Sequence, residues 1–436
     1  MKILFILQYV PYPLNSGGNQ ATFNMIDKIR EEHDVSILCN INNEESANAL
    51  EELREVWKDV TFFPYVEQKQ ETEPVATPTT LSFRICNYLR KSFTRKVNRK
   101  LRKFQAQLAT EEPGDFVRKN SCLNQDYPTF SEGYKQHVYE ISRKGFDAIQ
   151  VEFYESLPLV YLLPAEVTKI YVQHEIRYIR NRNELDLFEQ PTPDDFYRWN
   201  LLKDMELMAL SHYNYIVALT ETDKALMLSS KKDLNIYVSP AVVKLPDTQY
   251  SFTHAGKELV FVGSGEHFPN ADGMMWFSKE VLPLIKKKCN VKVNIVGKWR
   301  EQLQAELLKV EPSLHFTGYV EDLDAFINGK ISIVPIRIGS GMRMKLLDSI
   351  LAASSIITTS KGCEGLPFTD GETCFIADKP ADFAHAVIQM LENPDNIQKT
   401  FVENAFQKIS CIIDAKQQIQ KRLNLYREIE KLSKDK

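Results

Sequence analysis

The stretch Pro335-Ile336-Arg337-Ile338-Gly339-Ser340-Gly341-Met342-Arg343-Met344-Lys345-Leu346-Leu347-Asp348 decides how the rest of the chain is read. The apolar run over 331–335 is of buried-strand length, and the apolar spacing over 344–352 predicts a helix just beyond the glycines. Gly339 and Gly341 permit a tight backbone approach, so free N–H groups and the positive end of the helix converge on one small volume. That geometry suits a phosphate or diphosphate. Arg343 and Lys345 add formal charge, Arg343 through a multi-donor fork suited to oxyanions. Asp348 lies about 10 Å beyond Gly341 along a helix rising 1.5 Å per residue, where a carboxylate can accept hydrogen bonds from a ribose diol. Taken alone, the pattern also fits an ordinary strand-to-helix turn with Arg343 and Lys345 in solvent. A second glycine loop, Lys361-Gly362-Cys363-Glu364-Gly365-Leu366-Pro367, follows a strand over 356–358, and its amides are expected to face the same cleft from the neighbouring strand.

Outward from this stretch the strand, glycine loop and helix pattern recurs. Residues 258–297 open with a strand over 259–262, a turn with Gly263 and Gly265, a helix over 274–286 and a strand over 292–296. Residues 1–40 show the same order: a strand over 2–7, a loop over 11–18 with Gly17 and Gly18, a helix over 21–32 and a strand over 35–39. Between them lie a helix over 132–143, strands over 148–152, 170–173 and 215–219, and a helix over 203–211. Residues 108–128 look loop-like, and 235–256, with Pro240, Pro246 and Gly256, reads as a boundary. The chain's 436 residues exceed the ~250 to 300 at which a single core usually stops growing. The expectation is therefore α/β, with domains at 1–240 and 241–410 and a C-terminal helix over 411–436.

These motifs resemble the family 4 nucleotide-sugar glycosyltransferases of the GT-B fold. Phe261-Val262-Gly263, Pro269-Asn270 and Trp276-Phe277 are similar to the family's opening of the C-terminal domain. Pro335 to Asp348, followed by Gly362 to Leu366, is similar to its P-x-R-x-G-[SG]-G-x-R-x-K-x-x-E and G-x-E-G-L pair. The resemblance implies two Rossmann-like domains facing each other across a cleft. It implies retaining transfer of a sugar from a nucleoside-diphosphate sugar to a glycan or lipid-linked acceptor, with no metal or other cofactor, as in surface polysaccharide or glycoconjugate synthesis. By the same resemblance Arg343 and Lys345 neutralise the diphosphate and Asp348 holds the ribose. Gly263, Gly339, Ser340, Gly341, Glu364, Gly365 and Leu366 belong to the donor-facing loops, and Gly17 and Gly18 approach the diphosphate from the N-terminal half. His174, after the strand over 170–173, matches the histidine that contacts the transferred sugar. It is equally readable as a structural loop histidine. The C-terminal helix is implied to brace back onto the N-terminal domain.

The departures from the pattern are specific. Asp348 stands where the family commonly has Glu, Ser340 replaces the first acidic residue of its E-x7-E pair, and Ala353-Ser354-Ser355 replaces G-[KR]-P. The Arg and Lys that many members carry after the first C-domain strand are absent, with Ser264, Glu266 and His267 in that loop. These changes keep open a non-catalytic GT-B nucleotide-sugar-binding scaffold and a sugar-nucleotide epimerase.

Hydrophobic residues make up 43% and charged residues 26% of the chain, which describes an ordered globular protein. Fifty-four Lys plus Arg against 58 Asp plus Glu give a net charge of -4, so there is no global basic field for nucleic acid. Seven scattered cysteines without a CxxC pair indicate neither a disulfide framework nor a zinc ribbon, and a cytoplasmic setting is the expectation. The apolar runs, such as 157–163, fall short of the ~18 to 20 residues of a membrane span. Residues 84–104 place Ile85, Leu89, Phe93, Val97, Leu101 and Phe104 at helical spacing among eight basic residues from Arg90 to Lys103. That pattern fits an anionic membrane surface, and equally a helix packed on the N-terminal domain with a solvated basic face.

Overall fold

The structure, a computed structural model, describes residues 1–14, 17–67, 116–125, 129–241, 251–410 and 415–434. The basic stretch at 84–104 lies outside the described residues. Among those described, β1 (Lys2–Leu7), β2 (Asp34–Ile41), β3 (Thr61–Val66), β4 (Ala148–Glu152), β5 (Thr168–Gln173), β6 (Tyr215–Ala218) and β7 (Ile236–Val238) form one sheet in the order β3-β2-β1-β4-β5-β6-β7. Every pairing is parallel. A second parallel sheet, in the order β10-β9-β8-β11-β12-β13, comprises β8 (Glu258–Val262), β9 (Lys292–Val296), β10 (Leu314–Gly318), β11 (Ile331–Val334), β12 (Ser355–Thr358) and β13 (Phe375–Ile376).

Ile3 to Leu7 and Ile331 to Val334 are buried throughout. Helices cover both faces of a parallel sheet, so its inner strands are continuously apolar and do not alternate. Each sheet reverses its winding once, between β1 and β4 and between β8 and β11. Ligands of open α/β sheets bind beyond the carboxyl ends of the strands at such points.

Several elements differ from the sequence expectation. The apolar run at 157–163 is part of a 3-10 helix, Tyr154–Leu162. The helix placed at 203–211 begins at Pro193, because Thr192 and Asp195 form a reciprocal capping box there. The helix placed at 274–286 begins at Phe268 and passes through a π turn, Phe277–Val281. Residues 116–125, within the stretch read as a loop, hold a short helix, Phe116–Asn120, and a 3-10 turn, Cys122–Asn124. The helix Arg177–Asp186 had no periodic signal, since two of its buried side chains, Arg180 and Glu184, are charged.

These unread pieces join the two halves. Val117, Leu123, Leu185 and Phe188 share one apolar cluster with Phe268, Ala271 and Met275 of the C-terminal half. The C-terminal helix Ala415–Lys434 packs on the N-terminal sheet, with Leu423, Leu425, Tyr426 and Ile429 in the cluster that contains Phe5 and Ile37. Arg427 adds an ion pair in which its Nη2 donates to both Glu32 carboxylate oxygens, at 2.9 and 3.0 Å.

Candidate functional site

The carboxyl ends of β5, β11 and β12 meet between the sheets. β11 ends at Val334, and Arg337 then donates two hydrogen bonds, at 2.6 and 3.1 Å, to the buried Asp272 carboxylate. That bidentate pair ties the loop after β11 to the helix after β8. Burial pushes the Asp272 carboxyl up, while Arg337 pulls it back down.

The glycine loop then crosses to the N-terminal half. Ser340 Oγ accepts from Ile176 N at 2.6 Å, Gly339 N donates to Asn183 Oδ1 at 3.2 Å, and Gly341 N donates to Asp223 Oδ1 at 3.1 Å. A Cβ on Gly341, whose φ is +81°, would fall 2.2 Å from His174 O. At Gly365, φ +79°, it would fall 2.8 Å from Thr220 Cγ2. Only glycine allows such approaches at these backbone angles. The expectation of free N–H groups at Gly339 and Gly341 is therefore corrected: closure across the cleft pairs both with side-chain oxygens of the opposite half.

Arg343 turns back over the loop, donating from Nη1 to Ser340 O and, at 2.9 Å, to Gly341 O. Its Nη2 is buried without a hydrogen-bond partner. Burial lowers the proton affinity of this guanidinium, and the neighbouring carboxylates of Glu175, Glu364 and Asp223 oppose the loss. A buried cationic donor without an acceptor is costly unless an anion completes it. Glu364 pairs with Lys361 at 2.8 Å through Oε1, while its Oε2 is buried and unpartnered. Leu366 N closes the second glycine loop onto Cys363 O at 3.1 Å.

Lys345 lies in the first turn of the helix Met344–Leu351, and its Nζ reaches Asn270 Oδ1 at 2.6 Å and stands 4.5 Å over the Phe261 ring. A Cβ on Gly263 would lie 3.0 Å from that Nζ. Burial, then Arg343, push the Lys345 ammonium down to about 7, against the pull of Asp348. Burial and Asp324 push the Asp348 carboxyl up to about 7, against Lys345. Burial thus works against the charged form of both groups, the ammonium of Lys345 and the carboxylate of Asp348.

The sign of the consequence follows from linkage. A carboxyl raised on folding contributes stability that is complete below its ordinary range near 4 and is lost as pH rises through about 7. Asp348→Asn removes this loss. The variant is expected to gain stability relative to the wild type as pH increases from 4 to 7, read from denaturant midpoints across that range. A constant difference between the two proteins at all pH values would remove the argument.

His174 follows β5 directly, with Nε2 2.5 Å from Glu152 Oε2 and its ring stacked on Phe153. Glu175, beside it, is largely buried. Burial alone would raise its carboxyl, but Arg180 at 2.9 Å, His267 and Arg177 hold it well below the usual range. Gly17 and Gly18 open the helix Gly17–Ile29 after β1, two strands away from β5 in the sheet. Gly339, Ser340, Gly341, Arg343 and His174 are thus brought together, Gly365 adjoins them through Thr220, and a Cβ on Gly18 would lie 3.3 Å from Tyr9 Oη, whose ring is 5.1 Å from that of Phe153, the residue stacked on His174. Glu152, Asn183 and Asp223 were missed. Only Asp223 carried a signal, Thr220-x-x-Asp223, which is a helix start with Thr220 as its cap.

Among the described residues no group of three or more His, Cys, Asp or Glu is placed to hold a metal ion, and no helix is long and apolar enough to cross a membrane.

Residues 256–393 match the family model described as Glycosyl transferases group 1. A Klebsiella pneumoniae protein named "Uncharacterized 44.6 kDa protein in cps region" is 29% identical over 167 residues, which span 36% of this chain and 43% of that protein's length. Sucrose-phosphate synthase from Thermosynechococcus elongatus is similar over 99% of both chains, with a TM-score of 0.66 at 11% identity. S. aureus TarM in complex with fondaparinux, alpha-GlcNAc-glycerol and UDP is similar over 98% of this chain and 99% of its own, with a TM-score of 0.63 at 13% identity. Anabaena HepE in complex with UDP and glucose has a TM-score of 0.58 at 13% identity over 98% of this chain and 100% of its own. Two parallel Rossmann-like sheets joined through the carboxyl ends of their strands, together with these likenesses, give the chain the GT-B fold.

Proposed function

We propose that the chain is a retaining glycosyltransferase that moves a sugar from a nucleoside-diphosphate sugar to a hydroxyl of a glycan or lipid-linked acceptor, in surface polysaccharide or glycoconjugate synthesis. One observation carries the reading. Arg343, with an unpartnered buried nitrogen, and Lys345 stand beside a glycine loop that faces His174 of the opposite domain. Both cations fall inside the stretch that matches group 1 glycosyl transferases.

In this reaction negative charge grows on the departing diphosphate. Arg343 and Lys345 neutralise it, and the desolvated site strengthens both interactions. An anion that takes the amides of Gly339 and Gly341 displaces Asn183 and Asp223, so donor binding exchanges an interdomain contact for a ligand contact. Asp348 holds the ribose, and His174 contacts the transferred sugar. Attack comes from the same face, assisted by the leaving phosphate, and needs no side-chain base. The UDP carried by the TarM and HepE structures supports uridine donors as the first to test. The reaction belongs at the cytoplasmic face of the membrane, with 84–104 as the contact to anionic lipid.

The test is release of nucleoside diphosphate from a panel of nucleotide sugars, with and without lipid-linked sugar acceptors on anionic vesicles. Acceptor-dependent release with the product's anomeric configuration retained is expected. Nucleotide binding without turnover points to a scaffold, and conversion of the donor to an epimeric nucleotide sugar points to an epimerase.

A further inference from the structure

Glu152 is the last residue of β4 and lies under His174. Its Oε2 stands 2.5 Å from His174 Nε2, and its Oε1 accepts from Gln150 Nε2 at 2.5 Å. Gln150, two residues earlier on the same face of the strand, accepts at Oε1 from Tyr426 Oη at 2.5 Å. Tyr426 belongs to the helix Ala415–Lys434, and both it and Gln150 have no solvent exposure. The C-terminal helix therefore reaches the histidine through a buried file of three hydrogen bonds.

Taking Glu152 as a carboxylate gives this file a single direction. The phenol donates to Gln150 Oε1, which turns the amide NH2 of Gln150 toward Glu152. An ionised carboxylate only accepts, so the hydrogen between Glu152 and His174 sits on Nε2. Two donors from opposite sides then fix the carboxylate. The imidazole plane is fixed independently, because Phe153 stacks on it with centroids 4.1 Å apart and planes 10° apart. Phe153 does this from a φ of +67°, a conformation that is strained for a bulky residue and persists only where the surroundings over-determine it.

We propose that Glu152 is a positioning residue for His174, locking the imidazole in its Nε2–H form so that Nδ1 is the nitrogen available to the transferred sugar, and that Tyr426 supports this lock from the C-terminal helix through Gln150. This rests on the transferase reading of the site. The neutral imidazole with Nδ1 unprotonated accepts from a sugar hydroxyl, and the opposite tautomer offers a donor at that place.

Glu152→Gln tests it with almost no change of shape. Gln150 claims the new amide's oxygen, so the amide NH2 at position 152 faces Nε2 and reverses the tautomer. In the full-length protein the expected result is a fall in kcat of about 10- to 100-fold with donor KM changed by less than about threefold. The ¹⁵N shifts of His174 exchange their Nδ1 and Nε2 signatures. Tyr426→Phe, which keeps the ring, gives a smaller loss in the same direction. His174→Ala combined with Glu152→Gln is no worse than His174→Ala alone, as expected for residues acting as one unit. An unchanged tautomer signature in folded Glu152→Gln, or fully additive losses in the double variant, overturns the proposal. Absence of nucleotide-sugar turnover in the wild type overturns the transferase reading instead, and the tautomer signature then decides the Glu152 lock on its own.

Discussion

Arg343→Ala is expected to lower kcat/KM for the nucleotide sugar by about 10²- to 10³-fold, the usual cost of deleting one preorganised donor at a developing anion. Three features of the site set this magnitude. The guanidinium is desolvated, so its attraction for a diphosphate is little screened. Nη1 holds the carbonyls of Ser340 and Gly341, so its loss also frees the loop that shapes the anion site. Glu175, Glu364 and Asp223 lose the cation they face, and three carboxylates left together repel an incoming diphosphate. Arg343→Lys restores charge without the fork and should recover only part of the activity. Steady-state kinetics with a nucleotide-binding titration measure both effects. If Arg343→Ala binds and turns over the donor within about threefold of the wild type, the guanidinium is no part of the donor site.

Gly341→Ala is expected to abolish turnover, by about 100-fold or more, and to weaken nucleotide binding by a smaller factor. Its added Cβ would lie 2.2 Å from His174 O, a backbone atom that no rotamer change can move aside. The φ of +81° adds local strain of about 1 to 2 kcal/mol for an L residue. The loop has to shift to relieve the clash, and the Gly341 amide proposed for the diphosphate moves with it. What changes is the approach of the two halves, and misplacing reacting groups by about 1 Å suffices for a 100-fold loss. Parallel measurements of kcat, nucleotide Kd and thermal midpoint separate these effects. Normal turnover in this variant would show that the observed closure is not the reacting arrangement.

Charge placement shows how far motif reading reached. The missing basic residues at Ser264 and its neighbours seemed to leave the loop after β8 without a cation. Lys345, from a different strand's helix, brings its Nζ beside Gly263 in that loop and onto Asn270 in the helix that follows it. The loop is supplied with charge from across the sheet, and spacing along the chain had no means of showing it.

The helix Arg177–Asp186 illustrates a second limit. Periodicity finds helices that bury apolar stripes, whereas Arg180 is buried against Glu175, Glu184 and Cys122. A buried ion network has the same composition as an exposed polar helix. Its burial becomes visible only when its partners are placed.

Continuous apolar strands and glycine turns at strand ends are local signals that leave few alternatives, so the two parallel sheets are legible along the chain. The glycines, Arg343, Lys345 and Asp348 of the proposed anion site are likewise close along the chain, within one strand-to-helix stretch. The pairing of that stretch with His174, Asn183 and Asp223, the desolvation of Lys345 and Asp348, and the file from Tyr426 to His174 were decided by tertiary structure. Each joins residues that are distant along the chain or depends on water being excluded around them, and neither distance in space nor desolvation is written in the order of the residues.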